Sequence, residues 1–255
     1  MSTLSGAEPV PPDVILPGAL GHLLRALAAL TVSDMPAIAV IGGMAVNIRL
    51  STLDAAHRAT LDIDLVSGDD HPTAVAVLSR SNELARPNTI VVHGVEIDII
   101  ETVRVHEEDL DGLGDDAKLF IAGHRWALDT AQPVRITTVG ANPPTVEVAV
   151  ATAAGLIAAK SHAAGYPRAA RRATKHGGDL YDIFRLVEVF DAQGDLRAQV
   201  AQAPYGLGRL VAQVAIVEFL TSPARAMRQM NPSATTALDA ARIHDVMEPF
   251  VAALR

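Results

Sequence analysis

Apolar positions along the first 150 residues recur at two different periods. Leucines at 20, 23, 24, 27 and 30 fall on one face of a helix over 17–31. The run "AIAVIGG" is short, continuously apolar and closed by two glycines, as a buried strand is. "MAVNIRL" then takes up helical composition. Residues 61–66 alternate, with Leu61, Ile63 and Leu65 on one side of a strand and Asp62 and Asp64 on the other. "PTAVAVLSRSNEL", 72–84, reads as a helix with Pro72 near its first turn. "NTIVVHGVEIDIIET" reads as two strands meeting at His93-Gly94, "DDAKLFIAGHRWALDT" as a helix, and 133–139 and 144–149 as short strands. From residue 150 the strand signals stop. Helical patterns cover 150–165, 174–191, 195–203, 206–221 and 235–254, broken at "GYP", "QGD", "PYG" and "NPS". The pattern predicts an α/β (α+β) domain over 17–148 and an all-helical domain over 149–255, preceded by a flexible lead-in at 1–16.

Composition narrows the class. With 255 residues, 49% of them hydrophobic and 20% charged, the chain has the make-up of a folded globular protein. It has no run of 18 uncharged apolar residues, and "AIAVIGGMAV", its most apolar stretch, is too short to span a bilayer, so no membrane partner is expected. The N-terminus lacks a basic region and carries three prolines in its first dozen residues, unlike a signal peptide. No cysteine is present, which excludes disulfides and thiolate metal sites and makes a cytoplasmic location the default. The net charge of −8 is unevenly spread. Residues 61–116 hold fourteen acids against three arginines, while 160–176 hold Lys160, Arg168, Arg171, Arg172 and Lys175 and no acid. A metal-plus-polyanion site needs such a division, although ordinary helical faces also show it.

Three features carry chemistry. In "IGGMAVNIRL" a strand ends in Gly42-Gly43 where a helix begins. Glycines there let backbone N–H groups approach a phosphate at a helix N-terminus, and a tight strand-to-helix turn needs them as well. Next comes "RATLDIDLVS": two carboxylates at i and i+2 leave one face of a strand together and repel unless a cation or solvent lies between them. A solvated edge is one reading. A Mg²⁺ site is the other, because Mg²⁺ takes one or two carboxylates plus substrate phosphates. Third, "VEIDII" puts Glu96 and Asp98 on one face, and Asp98 completes a three-carboxylate cluster if the two strands are neighbours. The acidic 107–116 segment lacks the spacing of a Ca²⁺ loop and reads as a solvated loop. The histidines show no metal-ligand spacing and read as surface or satisfied side chains, and no Walker A, G-x-G-x-x-G or G-x-S-x-G string occurs.

The order glycine pair, D-x-D strand, third strand carboxylate resembles the polymerase-β-like nucleotidyltransferases over about residues 37–100. More narrowly, "GGMAV", "R-x-T-x-D-I-D-L" and "K…GGDLYDIFRL" resemble the AbiEii/AbiGii toxin-type nucleotidyltransferases, including the MenT toxins, over about residues 37–190. The resemblance implies a mixed-sheet nucleotidyltransferase domain followed by helices. It assigns Mg²⁺ to Asp62, Asp64 and Asp98, with Asp98 also the first choice for the base that takes the acceptor's proton. Gly42, Gly43 and Thr60 would lie at the triphosphate. Lys160, otherwise a lysine snorkelling from an alanine-rich helix, would contact nucleotide phosphates. Asp179, Asp182 and Arg185 share a helical face. Both aspartates are candidates for a place near the nucleotide, with Asp182 the better match. Many superfamily members have serine where Gly43 stands, so that hydroxyl contact to phosphate is absent here. The implied activity moves NMP from an NTP to an acceptor hydroxyl, the acceptor being a tRNA 3′ end tracked by Arg168, Arg171, Arg172 and Lys175. Tyr166 could stack a base. A cognate antitoxin would be the protein partner. A small-molecule (aminoglycoside-type) nucleotidyltransferase and a catalytically inactive nucleotide-binding module are the alternatives.

Overall fold

Eight strands lie among the described residues: β1 (Asp13–Leu16), β2 (Ile38–Ile41), β3 (Ile63–Ser67), β4 (Glu83–Arg86), β5 (Thr89–Val92), β6 (Val95–Glu101), β7 (Gln132–Thr138) and β8 (Val146–Val150). The computed structural model describes residues 12–255 except 31–36, 54, 56, 57, 59, 69–72, 81 and 167–172, and except the side chains of 173 and 174. The strands form one mixed sheet in the order β1-β7-β8-β2-β3-β6-β5-β4. β2 runs antiparallel to β3, and β3 parallel to β6. The α/β (α+β) class is therefore as expected. Alternation decides which face is buried: Ile63, Leu65, Ile97 and Ile99 are at most 1% exposed, while Asp64, Glu96 and Asp98 point the other way.

The β5–β6 hairpin turns at His93-Gly94, where both residues have positive φ (51° and 78°). That is the two-residue turn whose twist matches the strands it joins.

The helices are α1 (Gly21–Ala29), α2 (Gly42–Ser51), α3 (Ala74–Leu78), α4 (Asp115–Asp129), α5 (Ala153–Gly165), α6 (Ala173–Phe190), α7 (Asp195–Ala201), α8 (Leu207–Ala215), α9 (Pro223–Met230) and α10 (Ala240–Ala252). α4 starts with Asp115 and Asp116 in its first turn, where acids favour the helix dipole. The Thr152 side chain caps α5 by accepting from the Gly155 N–H. α4 packs on β2 and β3, α5 lies along α4, and α6 lies along α5, so one buried apolar cluster runs from the sheet through the helical half. Arg49 fastens α2 beneath this junction. Its guanidinium is buried and donates to the carbonyls of Ala151 (2.8 Å) and Val150 (2.5 Å), and burial lowers its pKa.

Four elements depart from the expectation. Residues 13–16, placed in the lead-in, form β1 and pair parallel with β7. The helix expected over 72–84 is confined to Ala74–Leu78: Asn82 Nδ2 donates to the Leu78 carbonyl (2.9 Å), and the chain then becomes β4. The helix expected over 206–221 is α8 followed by a π-turn at Ile216–Leu220. α9, started by Pro223, falls where no element was expected. The acidic 107–116 segment is also more ordered than a loop. Its first residues form a 3₁₀ turn (Glu107–Leu110), in which Asp109 accepts from the His106 N–H, and its last two open α4.

Candidate active site

The chain enters α2 straight from β2, and Gly42 makes the corner with φ of 68°. A side chain there is excluded twice over, since a Cβ would stand 1.9 Å from Asp64 Oδ2. Asp64 thus lies directly on the glycine that opens the helix. Gly43 is matched in the same way to the segment before β3: a Cβ would meet Thr60 Oγ1 at 2.9 Å. The Thr60 hydroxyl occupies the space a serine at 43 would need. The N-cap residue of α2 is Ile41, whose side chain makes no capping hydrogen bond, and the first N–H groups of the helix can take an anion.

Asn47 holds the approach to β3 in place. Its Nδ2 donates to the carbonyls of Gly43 (2.9 Å) and Arg58 (3.0 Å). The Thr60 hydroxyl in turn donates to Asp62 Oδ1 (2.9 Å). Asp62 lies immediately before β3 rather than within it. Asp64 is half-buried in the cleft wall, and its pKa is pushed up to about 6, first by burial and then by the neighbouring Asp62 charge. Asp98 is the register partner of Asp64 across β3–β6, as expected of neighbouring strands. Its carboxylate accepts from the Thr89 hydroxyl (2.5 Å) and lies 3.6 Å from Arg86. Among the described residues no three carboxylate or imidazole groups converge into a metal cage. What the site offers is the Asp62–Asp64 pair, a donor set that suits Mg²⁺ completed by phosphate oxygens.

The helical half contributes the cations and their counter-ions. Lys160, on α5, is only 6% exposed, so it does not snorkel. Its Nζ lies 2.9 Å from Asp179 Oδ1 and 2.6 Å from Asp182 Oδ2. Burial alone would lower its pKa, but the two carboxylates outweigh that and raise it, so the lysine is a permanent cation. Arg58 forms a two-pronged pair with Asp182, Nε to Oδ1 and Nη2 to Oδ2, both 2.8 Å. Desolvation is again outweighed by Asp182, and the Arg58 pKa is raised. The glycine pair of "KHGGDLYD" fits this arrangement. Gly178 carries the Arg58 guanidinium against its Cα, and Gly177 lets the Gln229 carbonyl of α9 approach, which a Cβ would meet at 2.1 Å.

These groups surround one cavity of about 670 Å³. Gly42, Gly43, Thr60, Asp62, Asp64, Lys160, Lys175 and Asp179 all line it. Asp182, fully buried, pairs with Arg58 and Lys160, which do line it. Arg168, Arg171 and Arg172 lie outside the described residues. Arg58 was not singled out from the sequence as a site residue, although it is the arginine of the R-x-T-x-D string. Two histidines, read from the sequence only as surface or satisfied side chains, add to the site; His124 is satisfied, its Nδ1 2.7 Å from the Phe120 carbonyl. His124 and His162 are buried and stand in the cavity wall beside Phe120 and Tyr166. The signal for them was the i,i+4 spacing of Phe120–His124 and of His162–Tyr166, which stacks each pair on one helix face.

Uncapped helix N–H groups, a carboxylate pair and a buried lysine around one cleft define a nucleotide-handling enzyme site. The family model described as "Nucleotidyl transferase AbiEii toxin, Type IV TA system" matches residues 25–242. The chain belongs to this family of nucleotidyltransferase toxins, as the motifs implied. Comparison with curated proteins gives no match. Eight chains among solved structures match. One is an antigenic nucleotidyltransferase-like protein from Paracoccidioides brasiliensis, 17% identical, covering 76% of this chain and 90% of that one with a TM-score of 0.34.

Proposed function

We propose that the protein is a Mg²⁺-dependent enzyme that transfers NMP from an NTP to a tRNA 3′ end, releases pyrophosphate, and is restrained by a cognate antitoxin. The observation that carries the chemistry is Asp64 set against Gly42 at the N-terminus of α2, with Asp62 in the same cleft. A divalent metal on these two carboxylates would supply charge neutralisation for the phosphates. The residues do the rest by position. The N–H groups at Gly42 and Gly43 bind phosphate oxygens, with the Thr60 hydroxyl beside them. Lys160, held charged by Asp179 and Asp182, presents a fixed cation to the phosphates. The acceptor oxygen forms a bond to the α-phosphorus while the bond from that phosphorus to the bridging β-oxygen breaks, and the electron pair leaves on pyrophosphate. Asp98, in register with Asp64, is the proposed base for the acceptor's proton. Arg168, Arg171, Arg172 and Lys175 supply the basic stretch for the acceptor's backbone.

A second reading has one observation in its favour. Asp115 and Asp116 at the start of α4 are close enough to Tyr166, at the cavity edge, to raise its pKa together with burial. Carboxylates there favour a cationic small acceptor such as an aminoglycoside.

Incubation with total tRNA, Mg²⁺ and each labelled NTP, beside Asp62→Asn and Asp98→Asn, separates the two. Label on tRNA from wild type, absent from both variants, is the expected result. Label on an aminoglycoside but never on RNA would replace tRNA with the small acceptor. No labelled product from either would refute the transfer reading.

A further inference from the structure

Part of the cleft lining is aromatic, and nothing in phosphate chemistry calls for it. Phe120 and His124, one turn apart on α4, have ring centroids 4.7 Å apart, and Phe120 reaches across to His162 on α5 at 4.9 Å. His162 carries the Tyr166 ring stacked on it, 6.0 Å between centroids and 27° between planes. Tyr166 closes this series at the cleft edge and is 37% exposed, so a large part of its ring remains open to a further planar group. The wall is uncharged at its base. His124 is held neutral, its pKa lowered to about 4 by burial against the opposing pull of the Phe120 carbonyl. That carbonyl lies 2.7 Å from Nδ1 and fixes the proton there, which makes Nε2 an acceptor.

Spacing relates this wall to the charged groups. Lys160 and Tyr166 are six residues apart along α5 and its C-terminal cap, about 9 Å at the helical rise. Gly42, Gly43, Lys160 and Tyr166 line the same cleft, so a ligand with its phosphates at the first three has Tyr166 within reach of a planar, aromatic end.

We propose that Tyr166, backed by His162, is the stacking platform for the base of the incoming NTP. This assignment rests on the nucleotidyltransferase reading above and adds to it where the base is held. A base gripped by its face is held without regard to its edge, so the platform supplies affinity for all four NTPs and leaves discrimination to other contacts.

The test compares equilibrium binding of Mg²⁺–NTPs with that of Mg²⁺–tripolyphosphate, which has the phosphates and no base. Wild type is expected to bind NTPs more tightly than tripolyphosphate. Tyr166→Ala is expected to weaken NTP binding by about ten-fold, with tripolyphosphate unchanged, and Tyr166→Phe to keep wild-type affinity. Thermal melts of each variant check that the fold is intact. NTP binding unchanged in Tyr166→Ala, or lost equally for tripolyphosphate, overturns the platform. So does a variant whose only defect is a raised KM for the polynucleotide acceptor, because Tyr166 then stacks the acceptor's terminal base. Wild type that binds NTPs with this Tyr166 dependence but transfers nothing would sink the transfer reading and leave the platform standing.

Discussion

Asp64 shows how a single carboxylate ties stability to function. Its carboxyl is protonated up to about pH 6 in the folded protein, against an ordinary value of 3.8. Between these two values the folded state binds more protons than the unfolded state, so metal-free stability falls as pH rises through this window and stays low above it. Denaturant unfolding of the metal-free protein from pH 4 to pH 8 is expected to show that decline. Asp64→Asn removes it, gaining about 2 kcal/mol over wild type at pH 7 and nothing at pH 4, while abolishing transfer. A wild-type profile flat across the window would mean that Asp64 is solvated like an ordinary surface acid. At this scale much of the site was legible. The glycine pair, Asp62, Asp64 and Lys160 were all singled out from spacing and resemblance. The choice between Asp179 and Asp182 was not, because three residues along a helix share a face but lie at different depths. Asp179 lines the cleft, whereas Asp182 is fully buried behind two cations.

Among the elements, those with a strong internal period or a turn of fixed chemistry matched their expectation. The β5–β6 hairpin, α4 and α5 are examples. The elements that escaped are stabilised by neighbours rather than by their own pattern. β4 has all four residues exposed and exists as an edge strand because β5 offers it hydrogen bonds. β1 is four residues long and depends on β7. α9 is short, buries only Ala226 and Met230 of its residues, and its place is set by the bare backbone at Gly177. Gly177→Ala therefore drives a Cβ into the Gln229 carbonyl and is expected to destabilise the protein by about 1–3 kcal/mol. A thermal melt checks this. An unshifted midpoint would show that α9 can slide away from α6 without loss.

Across the whole molecule, the sheet and the helical half are joined by charge as well as by apolar packing. Arg58 precedes β3, Lys160 is on α5, and Asp179 and Asp182 are on α6. The pairing was not legible in the sequence, since residues 58 and 182 are 124 positions apart. Removing one partner takes away part of the other's counter-charge, since Asp182 keeps Lys160 and Lys160 keeps Asp179, so Arg58→Ala and Asp182→Ala are each expected to destabilise by about 1–3 kcal/mol. Reversing the pair with Arg58→Asp and Asp182→Arg should fail to restore either stability or transfer, because the new arginine would confront Lys160. Chemical denaturation of the double variant decides the matter. Wild-type stability would show that Lys160 contributes little to the pairing.

The same network limits how far the two halves can be inherited separately. Two cations and two carboxylates pair within it, while Asp62 and Asp64 stand beside it in the same cleft as the carboxylates suited to a divalent ion. A recombinant that takes its sheet from one relative and its helices from another keeps that balance only if positions 58, 160, 179 and 182 travel as a set. The boundary between the halves is a poor place for genetic exchange, even though the chain there looks like a simple junction.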